Sequence, residues 1–193
     1  IVFGDWSSDV CSSDLRRGMF SLAGYDIDEY VKDLNFTSVL HDIGKMVVPT
    51  GILDKPARLS PEEFDIIKKH PAAGAGYIQT MIDQFAHDPA SKNHTAFLRI
   101  PYEICLYHHE RWDGAGYPSG IAGDAIPLCA RLVAIVDSYE AMRGERSYHK
   151  EPSTHAQAVD IIRSEAGRQF DPMMVDAFLA VSDSFDTVFR KQL

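Results

Sequence analysis

Apolar residues recur at helical spacing along most of this chain. Between residues 28 and 41 the apolar positions include Tyr30, Val31, Leu34, Val39 and Leu40. This spacing is close to the period of a helix that buries one face. Similar spacing predicts helices over residues 97–109 and 128–142. No useful length of sequence alternates apolar and polar residues, and no segment repeats, so the pattern predicts an all-α fold.

Capping residues predict further helix boundaries. Ser60, Pro61 and Glu63 predict a helix start, because serine can cap, proline suits the first turn and the glutamate completes a capping box. That helix is expected to reach about residue 69. Proline disfavours helical backbone in the residue before it, so the next helix is expected to begin at Pro71. The last two helices are expected to follow caps at residues 153–154 and at residue 171.

Two segments are rich in glycine and proline. Residues 46–59 contain two prolines and one glycine, and residues 113–127 contain four glycines and two prolines. These residues interrupt regular structure, so both segments are predicted to be irregular.

Composition and charge narrow the class of protein. The length of 193 residues and an apolar fraction of 45% suit one globular domain. The net charge of −9 argues against a protein that coats a nucleic-acid polymer, which needs a basic surface. No segment is apolar for long enough to span a membrane, and no secretory signal opens the chain. Cys11, Cys105 and Cys129 form no CxxC motif. Together these features predict a cytoplasmic protein.

The first residues differ in character from the rest. Residues 5–15 read Asp-Trp-Ser-Ser-Asp-Val-Cys-Ser-Ser-Asp-Leu, with no hydrophobic period. They resemble the translation of a common sequencing adapter, so residues 1–15 are predicted to be non-native and residues 16–193 to be the domain. The alternative is a disordered serine-rich linker.

Two pairs of adjacent residues could bind metal ions. His41-Asp42 by itself is a weak signal, since such a pair is more often at a surface or a cap. His108-His109 is a stronger one. Neighbouring side chains on a helix point about 100° apart, so both histidines can serve one compact site only if it holds more than one ion or if the helix unwinds. A two-metal centre fits this requirement, and its imidazole and oxygen ligands would suit iron, manganese or zinc.

Asp137 lies in a strongly apolar segment, Leu132-Val133-Ala134-Ile135-Val136. An unpaired carboxylate is costly in such surroundings. Two explanations stay open: Asp137 is a further metal ligand, or it forms a salt bridge with Arg131 or Arg143.

Residues 41–45 (His-Asp-Ile-Gly-Lys) and 108–118 (His-His-Glu-Arg-Trp-Asp-Gly-Ala-Gly-Tyr-Pro) resemble the motifs of the HD-GYP family, bacterial phosphodiesterases that open cyclic di-GMP. The resemblance extends from about Gly24 to Leu179. It implies an HD-domain helical bundle with a long irregular GYP loop, Asp113–Pro118, that includes Asp113, Gly114, Gly116, Tyr117 and Pro118.

The resemblance also implies roles for individual residues. Two divalent metal ions would be held by His41, Asp42, His70, His108, His109 and Asp137. The catalytic residues would be Asp42 and Lys45. The substrate would be bound by Lys45, Tyr117, Arg146, Tyr148 and His149. Glu110 and Arg111 are expected to orient the histidines.

The implied reaction is metal-dependent hydrolysis of cyclic di-GMP to linear pGpG, and in some members to GMP. Implied partners are diguanylate cyclase domains at the GYP loop and a receiver or sensor domain in the full-length protein. Two other functions stay open: an HD-superfamily nucleotide phosphohydrolase, or a catalytically impaired module that binds a cyclic dinucleotide or a partner protein.

The sequence departs from the family in two places. Family members usually carry another histidine, and in some a glutamate, on a helix before the HD pair, but no histidine precedes His41 here. The domain is therefore expected to lack its first helix and one metal ligand. His149 stands where the family has a lysine that contacts substrate, although Lys150 follows it.

Overall fold

The structure is a computed structural model that describes residues 26–86, 96–144 and 151–191. Eight α-helices lie within these ranges: α1 (Ile27–Thr37), α2 (Thr50–Leu53), α3 (Pro61–Ile67), α4 (His70–Ala86), α5 (Arg99–Tyr107), α6 (Leu128–Arg143), α7 (His155–Ser164) and α8 (Pro172–Arg190). Short 3-10 turns occur at Ser38–Leu40, Ile43–Val47, Ala96–Leu98 and Gly123–Ala125. The β structure of the described ranges is one isolated bridge between Ala166 and Phe170. The all-α prediction is confirmed.

Helix α6 lies at the centre of the main core. Its buried residues are Cys129, Ala130, Leu132, Val133, Ile135, Val136 and Tyr139. They fall on more than one face of the helix, which is the pattern of a helix surrounded by others. Helices α5, α7 and α8 pack against it, and α1 adds three buried residues to the same cluster. No helix in the described ranges is both long enough and apolar enough to cross a membrane.

A second, smaller core joins α4 to α5. Ala75 and Ile78 of α4 pack with Leu98 and Cys105. Helix α4 also contacts the 3-10 turn Ile43–Val47, and Ile43 of that turn packs against the same small core. The beginning of α4 therefore lies against both α5 and the turn that follows the HD pair.

The predicted caps are present. The Ser60 hydroxyl accepts a hydrogen bond from the Glu63 backbone N–H at 3.2 Å, and the Glu63 carboxylate accepts one from the Ser60 N–H at 2.7 Å. Thr154 caps α7, and Asp171 caps α8 through the Met173 N–H. Each cap satisfies backbone donors that a helix leaves unpaired in its first turn.

Several predicted boundaries are wrong. α1 ends at Thr37, so His41-Asp42 lies between two 3-10 turns and not in a helix. α4 begins at His70, one residue earlier than predicted, because a proline in the first turn removes no helical hydrogen bond. Residues 46–59, predicted to be irregular, include the short helix α2. The prediction that residues 1–15 are non-native concerns residues outside the described ranges.

Gly44 lets the turn after the HD pair approach α4 closely. A Cβ at this position would lie 1.9 Å from the His70 carbonyl oxygen and 2.5 Å from the Gly74 nitrogen. Both neighbours are backbone atoms, which cannot move aside as a flexible side chain would. Gly44 is therefore required for Asp42 and His70 to meet.

We expect Gly44→Ala to destabilise the protein by about 1–3 kcal/mol, since overpacking against a rigid backbone has costs of this size. Gly76→Ala is the matched control. Its Cβ would meet nothing within 4 Å, so it should stabilise α4 by about 0.5–1 kcal/mol. Urea unfolding of both variants measures the difference. Equal stability of the two variants would contradict the role given to Gly44.

Candidate metal centre

Four chain segments bring the predicted ligands together. The HD pair lies between the turns that follow α1, and His70 is the first residue of α4. His108 caps the C-terminus of α5, with His109 directly after it. Asp137 lies within α6. His108 still has helical dihedrals, and its N–H donates to the Ile104 carbonyl at 3.0 Å, so His109 is the first residue beyond the cap of α5.

The tightest cluster consists of Asp42, His70, His108 and His109. Each offers one ligand atom, and these atoms all lie within 4.8 Å of one another. The His70 Nε2 is 3.3 Å and the His108 Nε2 is 3.8 Å from the Asp42 Oδ1. A set of imidazoles around one carboxylate suits a divalent transition metal.

His41 lies near the second oxygen of Asp42 and also near Asp137. The His41 Nε2 is 3.3 Å from the Asp42 Oδ2 and 3.8 Å from the Asp137 Oδ1. The two oxygens of Asp42 thus face different groups of ligands. This is the arrangement in which one carboxylate bridges two ions.

Hydrogen bonds orient three of the histidines. The Nδ1 atoms of His41, His70 and His108 lie 2.8–2.9 Å from the carbonyl oxygens of Ser38, Ile67 and Ile104. A carbonyl can only accept, so in each neutral ring the proton is on Nδ1 and the lone pair is on Nε2. These carbonyls are the outer partners that metal-binding histidines usually have.

In the described part of the chain, the centre contains buried hydrogen-bond acceptors that face one another with no donor between them. The Nε2 atoms of His70 and His108 are 3.3 Å apart, and both are acceptors in the tautomers given above. The Asp42 Oδ1 is buried and accepts no hydrogen bond of normal geometry from the described residues, although His70 is close. Buried acceptors that face one another are costly unless a cation lies between them. The donor set therefore fits divalent metal ions.

Electrostatics keep the ligands in their metal-binding forms. Burial by itself would raise the pKa of Asp42, but the contact with His41 and the charges of His41 and Lys45 hold that pKa well below its usual range. Burial and the neighbouring histidines lower the pKa of His108 to about 3 and that of His109 to about 2. At neutral pH the carboxylate is therefore ionised and these two imidazoles are neutral, as metal binding requires. His41 differs, because Asp42 and Asp137 raise its pKa in spite of burial.

The two arginines named as alternative partners of Asp137 each pair with another carboxylate. Arg131 pairs with Asp171 at 2.8 Å, and Arg143 pairs with Asp186 at the same distance. Asp137 lies beside His41 and lines a cavity together with His108 and His109. These positions favour the interpretation of Asp137 as a ligand.

Lys45 lies at the edge of the centre. Its ammonium group contacts the Asp42 carboxylate, and 38% of its side chain is exposed. A lysine that is anchored to a ligand and still open to solvent can reach a bound phosphate.

The GYP loop covers one side of the centre. The Tyr117 ring stacks on the His109 ring, with centroids 4.8 Å apart, and meets the Phe64 ring edge-on. Gly114 has a φ of 78°, a conformation that favours glycine. Gly116 is needed for a different reason, since a Cβ there would lie 2.4 Å from the Arg111 nitrogen.

The expectation that Glu110 and Arg111 orient the histidines is wrong. The buried Glu110 carboxylate accepts hydrogen bonds from the Ser119 and Gly120 N–H groups, at 2.7 and 3.1 Å. Arg111 binds Asp113 and Gln169. Both residues hold the GYP loop and not the imidazoles, because their side chains point toward the loop that follows them.

Three predicted substrate-binding residues, Arg146, Tyr148 and His149, lie outside the described residues. Residues 1–25, which precede α1 and the HD pair, also lie outside the described residues. These assignments stay predictions.

Comparisons with known proteins identify relatives of this chain. A profile of the HD domain family matches residues 26–174. The chain is 41% identical over 165 residues to a probable cyclic di-GMP phosphodiesterase of Vibrio cholerae, a match that covers 86% of this chain and 35% of that protein. It is 43% identical over 156 residues to a cyclic di-GMP phosphodiesterase of the same organism, covering 81% and 30%.

A third relative differs in its named substrate. The 3′3′-cGAMP-specific phosphodiesterase 2 of Vibrio cholerae is 35% identical over 148 residues, covering 77% of this chain and 26% of that protein. The chain spans about a third of the length of the curated relatives that it matches.

We expect His108→Ala to lose most of its bound metal, since even the loss of a histidine's outer partner typically lowers metal affinity by about 10–100-fold. His155→Ala is the control, because His155 contacts Tyr139 and not the centre. Metal per chain, measured by plasma mass spectrometry after dialysis, distinguishes them. Unchanged metal in His108→Ala would remove this residue from the ligands.

We expect Glu110→Ala to make the segment directly after the GYP loop, Ser119 and Gly120, more mobile. Hydrogen bonds to a charged group contribute about 1.5–3 kcal/mol, so their loss should speed hydrogen exchange at the Ser119 and Gly120 amides. Exchange in α7 should not change. Protection of these two amides equal to that of the wild type would show that Glu110 does not hold the loop.

Proposed function

This chain belongs to the HD-GYP branch of the HD-domain family, and we propose that it is a metal-dependent phosphodiesterase that hydrolyses cyclic di-GMP. The observation that carries the proposal is the position of Asp42. Its two oxygens face two groups of imidazole and carboxylate ligands, and a cavity lined by the GYP loop opens beside them.

The proposed ligands form two sets that share Asp42. His41, Asp42 and Asp137 would hold one ion, and Asp42, His70, His108 and His109 would hold the other. Iron or manganese fits this donor set best, and zinc is also compatible. When bound, two such ions activate water and neutralise charge on the phosphate.

The residues of the chain itself supply positioning and charge. Lys45 is placed to stabilise the phosphoryl oxygens while the bond to the leaving ribose oxygen breaks. Tyr117, stacked on His109, would contact the substrate at the inner edge of the cavity. Arg146, Tyr148 and His149 would add contacts to phosphate and base, as the family resemblance implies.

The product would be linear pGpG, with GMP as a further product. In the cell the chain would act in the cytoplasm, joined to a receiver or sensor domain, and diguanylate cyclase domains would dock on the GYP loop. A nucleotide phosphohydrolase is less well supported, because relatives named as cyclic dinucleotide phosphodiesterases match most of the chain.

We expect the manganese- or iron-loaded protein to hydrolyse cyclic di-GMP and the chelated protein to be inactive. Chromatography of the products measures the reaction. A chain that carries two ions and leaves cyclic di-GMP intact would contradict the proposal, and tight binding without metal would indicate a sensor.

We expect Lys45→Ala to lower kcat by about 100-fold, a typical effect of removing one group that stabilises transition-state charge. Metal content should be kept, because a lysine donates no lone pair while protonated. Lys32→Ala, at an exposed position on α1, is the matched control. A kcat for Lys45→Ala within twofold of the wild type would show that Lys45 does not act on the phosphate.

A further inference from the structure

A cavity of about 420 Å³ lies beside the histidines of the metal centre. Cavities of about 300–1,000 Å³ are usual for small-molecule sites. Its walls come from α3, the segment of His108 to Tyr117, α6 and the turn between α7 and α8. Ser138, directly after the proposed ligand Asp137, and Gln169, in the α7–α8 turn, lie in the same wall.

The side chain of Gln169 is held in one orientation. Arg111 Nη1 donates a hydrogen bond to the Gln169 Oε1 at 3.2 Å, and the Gln169 Nε2 donates one to the Ser138 Oγ at 3.3 Å. A guanidinium has no acceptor, so the reversed amide would place donor against donor. Arg111 is itself anchored by Asp113 at 2.9 Å and by Glu165 at 3.6 Å.

This orientation leaves hydrogen-bond donors on the cavity wall. The amide group of Gln169 has two hydrogens, and Ser138 takes one of them. The Ser138 oxygen accepts that bond, which leaves its own hydroxyl hydrogen available. Ser138 and Gln169 therefore offer the cavity two donors that lie side by side.

A base that carries two adjacent acceptors would match such a pair. On its major-groove edge guanine presents N7 and O6, both acceptors, whereas adenine presents the N7 acceptor and the N6 amino donor. An adenine in the same place would bring its amino group against a donor.

We propose that Gln169, held by Arg111 and assisted by Ser138, selects guanine over adenine in this cavity. The inference rests on the proposed function, because it names the base that the phosphodiesterase reads. Relatives of this chain are named for cyclic di-GMP and for 3′3′-cGAMP, so the choice of base differs among similar proteins.

The sequence contains no signal for this residue. Gln169 belongs to no motif and lies far along the chain from Arg111 and Ser138. Its backbone, however, is well anchored: the Gln169 carbonyl accepts the Trp112 N–H at 3.1 Å, independently of the side chain. Side-chain variants of Gln169 should therefore fold, and thermal melting checks this.

The test compares cyclic di-GMP with cyclic di-AMP on the metal-loaded chain. The wild type should prefer cyclic di-GMP by about tenfold in kcat/KM, which lies within the discrimination that a good pair of base contacts supplies. Gln169→Ala should lower the preference about tenfold. Gln169→Glu should lower it further, because a carboxylate accepts from the adenine amino group and still pairs with Arg111.

Gln157→Glu is the matched control. It makes the same change of amide to acid in the capping box of α7, where glutamate is equally suitable, and should leave the preference unchanged. If one dinucleotide is not cleaved, its binding is measured as the inhibition constant with which it slows cyclic di-GMP hydrolysis. This constant is then compared among the variants in place of kcat/KM.

A second measurement uses 3′3′-cGAMP, which contains both bases. If guanine occupies the cavity, the wild type should open one of the two phosphodiester bonds and give mainly one linear isomer. Gln169→Ala should give a mixture, and Gln169→Glu should favour the other isomer. Mass spectrometry of the products measures this ratio within one substrate, so it does not depend on overall activity.

The outcomes separate this inference from the proposed function. Hydrolysis of cyclic di-GMP with the same base preference and isomer ratio in the wild type, Gln169→Ala and Gln169→Glu would overturn only the role of Gln169. A metal-loaded wild type that neither cleaves nor binds cyclic dinucleotides would overturn both.

Discussion

The buried carboxylate of Asp42 is the group on which the rest of the centre depends. Burial opposes its charge, and contacts with His41 and Lys45 offset that cost and hold its pKa low, while His70 and His108 lie near its other oxygen. Those contacts require the turn after Asp42 to lie directly against the start of α4. Gly44 makes this possible, because any larger residue would collide with the His70 carbonyl. The geometry of the centre therefore depends on backbone packing: Gly44 allows the close approach that brings the Asp42 carboxylate to the histidines.

The GYP loop connects the candidate metal centre to the cavity beside it. Glu110 holds the exit of the loop through two backbone N–H groups, and Arg111 ties its start to the α7–α8 turn. Tyr117 is thereby pressed against His109. The two histidines and Tyr117 thus belong to one continuous segment, which lines part of the cavity. The side-chain hydrogen bonds of Glu110 and Arg111 accordingly go to this loop and to the α7–α8 turn.

Much of the fold and the centre could be predicted from local chemistry. Ser60, Thr154 and Asp171 cap helices because their side chains serve backbone groups two or three residues away. Errors occurred where tertiary contacts decided the outcome. His70 starts α4 because its ring is held at the Ile67 carbonyl and beside Asp42. The helix expected through His109 ends at Tyr107, with His108 as its C-cap and His109 beyond it.

The sequence by itself determined which side chains could bind metal, because residue type sets the ligand chemistry and burial makes an unpaired ligand costly. It also determined the all-α class, since apolar residues recur at helical spacing in most segments. Only the tertiary structure decided how the two oxygens of Asp42 are divided between His41 on one side and His70 on the other. It likewise decided which way the Gln169 amide points. Both depend on distances of a few ångströms between residues remote in the chain, and no local pattern encodes such distances.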